Sequence, residues 1–392
     1  MSTTTSNGIK QASETETSEY CSMAASPRYS TSAALMTLND STGETEHSAL
    51  HVGDSDTTAP APPTALQRIV RRYRLLEFGS AAVLLALALL FANIKVHERP
   101  IPAIKVRVSS TVTTYALDPS IDETKLAEQV PMWLLMALGI GLPIATNIVV
   151  NYVLPLVCQV RVIAHDTRDL LLSLFQSVAL ATFFTQFTKN ITGRFRPSFY
   201  DMCKWQYDVV WDGVSNLCTD AAGEKEGRKS FPSGHASFAW ASMLIFALYM
   251  LGRSRLNCEN RSSTTLRGGK KSLMLFLCCT PIILASWISV SRCIDNWHHY
   301  SDILAGSVIG AVSALFAFNY NYGSIFSWDC AGLPLEEIHE RRMIKAKKVW
   351  SERFNEPSSW HTDRDSRPPL LNHMSGEFIV DLSSRSRDSV GV

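Results

Sequence analysis

The sequence predicts an all-α polytopic membrane protein with six transmembrane helices. Three observations carry this: six long apolar runs, almost no charge inside them, and basic loops that fit a single topology. Whole-chain averages hide the pattern, because a formal net charge of +1 and 46% hydrophobic residues would suit an ordinary soluble protein. They point to no nucleic-acid partner. The apolar residues are concentrated between two polar tails. Residues 1–66 form a Ser/Thr-rich cytosolic tail, 67–325 the six-helix domain, and 326–392 a second polar cytosolic tail. Neither tail has enough large apolar side chains to offset the entropy of ordering it, so both are expected to be largely disordered.

The first apolar run, roughly 75–94, follows "RRYR". The others run roughly 131–156, 169–187, 236–252, 273–290 and 303–320. Most approach the ~20 residues that cross a bilayer, and the fourth and sixth sit near the lower limit. The second carries Pro143, Pro155, Asn147 and Asn151, which predicts a kinked helix packed inward. Positive charge gathers in Arg71, Arg72 and Arg74, in Arg161 and Arg168, in the loop from Gly252 to Ser272, and in "RRMIKAKK". Six spans with both termini and those loops in the cytosol satisfy all of it.

On this topology three polar motifs meet at one depth on the non-cytosolic face. "KNITGRFRP" (Lys189 to Pro197) follows the third span, "FPSGHAS" leads into the fourth, and "SRCIDNWHHYSD" joins the fifth to the sixth. Singly, each has an ordinary explanation: interface cations, a turn before a helix, a polar loop. Arg194 reads as such an interface cation, and Arg228 and Lys229 as loop charges. In the third motif, His298 and His299 each lie three or four residues from Asp295 and from Asp302, so helical spacing does not choose between them.

Together these residues resemble the type 2 phosphatidic acid phosphatase superfamily, and most closely its eukaryotic lipid phosphate phosphatase branch. The family pattern is Lys, six residues, Arg-Pro; then Pro-Ser-Gly-His; then Ser-Arg, five residues, His, three residues, Asp. Here it reads Lys189 to Arg196-Pro197, Pro232-Ser233-Gly234-His235, and Ser291-Arg292, His298, Asp302. The resemblance covers roughly 70–325. It implies hydrolysis of lipid phosphate monoesters (phosphatidic acid, lysophosphatidic acid, diacylglycerol pyrophosphate, sphingoid phosphates). It also implies His298 as the nucleophile of a phosphohistidine intermediate, with Asp302 holding its ring, and His235 as general acid and then base.

The residues themselves suit that chemistry. Lys189, Arg196 and Arg292 bring fixed positive charge, and arginine offers a planar fork to phosphate oxygens. Ser233 and Gly234 stand at the start of a helix, where free N–H groups favour an anion. With so many donors, and no carboxylate cluster of the two-metal kind, the expectation is a metal-independent enzyme with no cofactor. Its partners are lipid phosphates and the bilayer, and self-association is compatible with this. The membrane is the plasma membrane or an endomembrane such as the ER or a vacuole. An isoprenoid or dolichyl diphosphate phosphatase is the alternative enzyme, and a membrane scaffold the alternative outside enzymes. Cys203 and Cys218 share the predicted lumenal loop and are expected to form a disulfide; Cys158 and Cys330 are expected as free thiols.

Overall fold

A computed structural model describes residues 64–157, 160–258 and 269–355. The expectations for most of the two tails, for Cys158 and for most of the basic loop 252–272 fall outside these residues. The chain divides into two units at Arg342, and all that follows concerns the first.

Six helices are long and apolar enough to cross a membrane: α2 (Leu75–Asn93), α3 (Met132–Val157), α4 (Asp166–Thr192), α7 (Gly234–Ser254), α8 (Lys270–Ile294) and α9 (Tyr300–Asn321). Between and around them lie α1 (Ala65–Arg72), α5 (Phe199–Cys203), α6 (Ala221–Gly227) and α10 (Leu335–Asn355). The loop after α2 contains an antiparallel hairpin, β1 (Ala103–Arg107) with β2 (Thr113–Leu117), an addition to the all-α architecture expected from the sequence.

Five of the six helices extend past their apolar runs at one end or both. In α4 the extension takes in Asp166 at one end and Lys189 at the other, both buried. Helices that keep hydrogen-bonding into polar residues can bury those residues against each other, which an apolar window does not register. Helix α3 contains two stretches of π-helix, Ala137–Gly141 and Val149–Val153, one ahead of each proline. Such stretches accommodate a residue that lacks an N–H and clashes with the preceding turn. The expectation that α3 packs inward holds for one edge. Asn147 is buried, while Trp133, Tyr152, Leu156 and Val157 remain exposed.

The buried centre is α7, which packs against α4, α8 and α9. Its approach to α9 is set by Gly306 and Gly310. A Cβ on Gly306 would fall 2.5 Å from the Ser233 carbonyl oxygen, and one on Gly310 2.3 Å from that of Ser237. Small residues four apart let two helices close to backbone contact. The packing also brings the start of α7 beside the start of α9, where the Ser233 N–H donates to the Asp302 carbonyl at 2.9 Å. At the opposite ends of the helices, Ile163, Cys330, Leu333 and Ile338 form a small apolar cluster. Cys330 is disulfide-bonded there, contrary to the free thiol expected of it.

Candidate active site

The eight residues singled out from the sequence converge at one end of the bundle. Lys189 comes from the last turn of α4 and Arg196 from the loop after it. Ser233, Gly234 and His235 open α7, Arg292 closes α8, His298 sits in the α8–α9 turn, and Asp302 lies in the first turn of α9. Ser233 caps α7, its hydroxyl accepting from the Ala236 N–H at 3.4 Å. An added Cβ at Gly234 would meet only Lys189 Cε, at 4.0 Å, so the helix start faces the lysine without crowding it. Lys189 Nζ donates to the Lys229 carbonyl at 2.6 Å, which fixes the end of its side chain.

Asp302 is the best-held group here. It is fully buried, and its Oδ1 accepts from Arg194 Nη1 at 2.7 Å. Its Oδ2 accepts from the Ser230 hydroxyl at 2.5 Å and from the His299 backbone N–H at 3.0 Å. Arg194 therefore departs from the interface-cation reading: it is the ion-pair partner of a buried carboxylate. Arg228 departs from the loop reading as well. It is buried, bonded to Glu224 and to the Arg99 carbonyl, and stacked over Phe195 and Phe199.

His298 is buried with Nδ1 3.7 Å from Asp302 Oδ2, too long for a hydrogen bond, and that nitrogen has no other partner. Unliganded sites commonly show such loose catalytic contacts. Burial pushes His298 well below the ordinary imidazole range; nearby Arg196 and Lys189 push the same way, and Asp302 opposes them. The ring is therefore neutral at physiological pH, with a nitrogen lone pair available. His299 caps α9 through its backbone, its N–H bonded to Asp302, and burial followed by Arg194 depresses its proton affinity too.

Each of the two buried arginines has one close carboxylate partner, and Arg292 Nη1 also lies 3.9 Å from Glu128 Oε2, beyond hydrogen-bond reach. Arg196 pairs with Glu226 at 2.5 Å and lies over the Trp297 ring at 4.8 Å. Arg292 pairs with Asp295 at 2.8 Å, and Asp295 is itself held by the backbone N–H and side-chain amide of Gln129, each at 2.9 Å. Burial first, and Arg292 among its neighbours, lower the proton affinity of Arg196. Both stay charged, because arginine does not deprotonate in proteins. Arg196 Nε, Arg292 Nη1, His235 Nε2 and His298 Nδ1 are buried and have no hydrogen-bond partner. Three of them, Arg196 Nε, Arg292 Nη1 and His235 Nε2, come from three separate stretches of chain and lack a partner that one multivalent anion would supply, while His298 Nδ1 faces Asp302.

The sequence reading weighed Asp295 only as a partner for the two histidines, and it did not single out Ser230, Glu226, Trp297 or the wall formed by residues 122–130. That wall is bound to the site through Glu123 N–H to the Pro197 carbonyl, Leu126 N–H to the Asp295 carbonyl, and Trp297 Nε1 to the Leu126 carbonyl. These are backbone-level contacts between distant segments, and no local pattern announces them. The pairing of Asp295 with Arg292 could have been found from its place three residues after Arg292, the spacing at which a helical end pairs charges. Beside this wall Cys203 and Cys218 form the expected disulfide, with Cα atoms 5.1 Å apart.

Comparison with known proteins agrees with this geometry. Residues 170–325 match the PAP2 superfamily. A PA-phosphatase related-family protein of Dictyostelium discoideum is 32% identical over 214 residues, covering 55% of this chain and 68% of that protein. Lipid phosphate phosphatase 1 of Arabidopsis thaliana is 32% identical over 196 residues, 49% of this chain and 55% of the relative. Diacylglycerol pyrophosphate phosphatase 1 of Saccharomyces cerevisiae is 30% identical over 168 residues, 40% of this chain and 55% of the relative. The chain thus spans a little over half the length of the plant and yeast relatives. No solved structure matches it.

Proposed function

This chain belongs to the PAP2 superfamily, in its eukaryotic lipid phosphate phosphatase branch, and from that premise we propose that it hydrolyses lipid phosphate monoesters at the site around His298. The observation that carries the proposal is the set of three buried, unpartnered polar atoms on Arg196, Arg292 and His235, gathered at the same end of the bundle as the buried His298 ring. A dianionic phosphate supplies acceptors for the guanidinium N–H groups and a phosphorus atom for the neutral imidazole.

In the first step the lone pair of His298 Nε2 attacks phosphorus while Nδ1–H turns toward Asp302. The bond from phosphorus to the lipid oxygen breaks, and His235 gives a proton to the leaving alkoxide. In the second step water attacks the phosphohistidine, His235 takes its proton, and phosphate leaves with the imidazole restored. Lys189, Arg196, Arg292 and the free N–H groups at the start of α7 hold the phosphoryl oxygens throughout. These groups meet the charge with cations, and among the described residues no group of three or more His, Cys, Asp or Glu side chains could hold a metal ion. The reaction is proposed as magnesium-independent.

A site at helix ends suits an amphiphile whose headgroup enters while its acyl chains stay in the bilayer. The proposed substrates are phosphatidic acid and, by the same chemistry, lysophosphatidic acid, diacylglycerol pyrophosphate and sphingoid phosphates. The proposed topology puts both termini in the cytosol and this site on the other face. Phosphate release from a panel of these lipids and an isoprenoid diphosphate in detergent micelles, with and without EDTA, tests the reading. Release from the lipid monoesters that EDTA leaves unchanged is expected. No release from any of them would sink it, and the scaffold alternative would then stand.

A further inference from the structure

The signature that marks the catalytic end recurs at the opposite ends of the same helices. Arg161 precedes α4, Arg253 lies in the last turn of α7, and Arg255 follows it. Arg253 has a side chain only 8% exposed. Its Nη2 donates to Asn151 Oδ1 at 3.1 Å and to the Arg161 carbonyl at 2.8 Å, while its Nη1 has no hydrogen-bond partner. Arg161 Nη1 donates to the Ala331 carbonyl at 3.3 Å, and its Nε and Nη2 are buried and unpartnered. Arg255 lies over the Trp328 ring at 4.4 Å with Nε buried and unpartnered. Four buried N–H donors on three neighbouring guanidinium groups are thus left without acceptors.

Two carboxylates lie near, Asp329 toward Arg255 and Asp166 toward Arg253, and neither hydrogen-bonds the free N–H groups. Asp166 Oδ2 is 3.8 Å from Arg253 Nη1, beyond hydrogen-bond reach, and it already accepts from Asn151 at 2.8 Å and from the Tyr249 hydroxyl at 2.7 Å. Burial, then Arg255, Arg253 and Arg341, bring the proton affinity of Arg161 down to about 10, with Asp166 opposing. It is still a cation at neutral pH, among cations. A cavity of about 350 Å³ lies on the far side of Asn151 and Asp166, the neighbours of Arg253; Tyr152, Val162, His165 and Arg168 also line it, and the three arginines themselves do not. Tyr152 and Val162 are more than half exposed, so one wall of the cavity continues onto apolar surface.

We propose that Arg161, Arg253 and Arg255 form a second anion site, built for a phosphate-bearing group, at the ends of the helices remote from His298. Its ligand is either the phosphate headgroup of an anionic lipid or free phosphate, for which a planar guanidinium fork is the matching donor. The 21 residues of α7 separate it from the catalytic end by about 30 Å, so it is a distinct site.

Full-length protein in zwitterionic detergent is titrated with two probes, inorganic phosphate and dihexanoyl phosphatidylglycerol, and followed by hydrogen exchange and thermal unfolding. The expected result is protection of segments 160–166 and 250–256, with a rise in the unfolding midpoint. Arg161→Gln and Arg255→Gln should each weaken the apparent affinity about ten-fold, the loss of one charge-assisted bond. Protection by phosphate alone identifies a free anion as sufficient, and protection only by the phosphodiester lipid identifies a headgroup. Either supports the site. If neither probe protects these segments, or protection falls only on 189–197 and 291–299, the proposal is overturned. Undiminished affinity in both variants overturns it as well. The exchange pattern of the wild-type chain decides the matter even if a variant misfolds.

Discussion

Replacing Arg194 by Gln removes the cation 2.7 Å from Asp302 Oδ1 and leaves the rest of the carboxylate's partners in place. Breaking a fully buried ion pair costs about 3–5 kcal/mol. Arg194 is 35% exposed, and Asp302 keeps Ser230 and the His299 N–H, so water and those two donors recover much of the loss. We expect about 1–2 kcal/mol of stability lost. The effect on turnover is larger. Asp302 is held by three donors that together fix where it faces His298, and a displacement of the order of 1 Å in such a group costs about 100-fold in rate. With two of the three retained, kcat for phosphate release from phosphatidic acid should fall about 10- to 100-fold, with KM changed much less. Arg194→Lys, which keeps the charge and loses the fork, should lie between. Steady-state phosphate release and thermal unfolding, run on the same preparations, read both effects. Wild-type kcat and stability in Arg194→Gln would refute the reasoning and return Arg194 to the role of an interface cation.

Other consequences are equally direct. Cys203→Ser with Cys218→Ser opens a loop with a sequence separation of 15 and should cost about 3 kcal/mol, read as a lowered unfolding midpoint. Gly310→Ala drives a methyl into the Ser237 carbonyl; overpacking of about 1–3 kcal/mol should lower stability and, by moving Ser233 from Asp302, activity with it. Because burial depresses the proton affinity of His298, the unfolded chain binds more protons than the folded one just below pH ~6.5. Stability from this group is therefore present above that pH and is lost as pH falls below it, by up to about 1.4 kcal/mol per pH unit. A pH series of unfolding midpoints should show that acid slope, and His298→Gln should make it shallower, the depressed His299 still contributing.

The six spans were legible because a bilayer demands long apolar helices, and their centres agree with the apolar runs. Their ends were not. Asp166, Lys189, Arg292 and Asp302 lie within helices that an apolar window truncates, because each buries its charge against a polar or oppositely charged partner. The candidate site was legible as residue types at fixed spacings, and the structure brings all eight to one helix end. What the sequence could not supply was who holds whom. Arg194 looks the same whether it snorkels or grips Asp302, and only the approach of α9 to α7 across Gly306 and Gly310 decides it. The wall over Asp295 was hidden for the same reason, since its bonds join residues far apart in the chain.

The proposal that His298 carries the phosphoryl group is tested most directly by rapid-quench labelling. Purified protein is mixed with phosphatidic acid labelled with ³²P in the phosphate, quenched in base, and digested for peptide mapping. Transient label on the peptide containing His298, absent in His298→Ala along with turnover, is the predicted result. Turnover without any transient label on that peptide, or substantial turnover in His298→Ala, would contradict it.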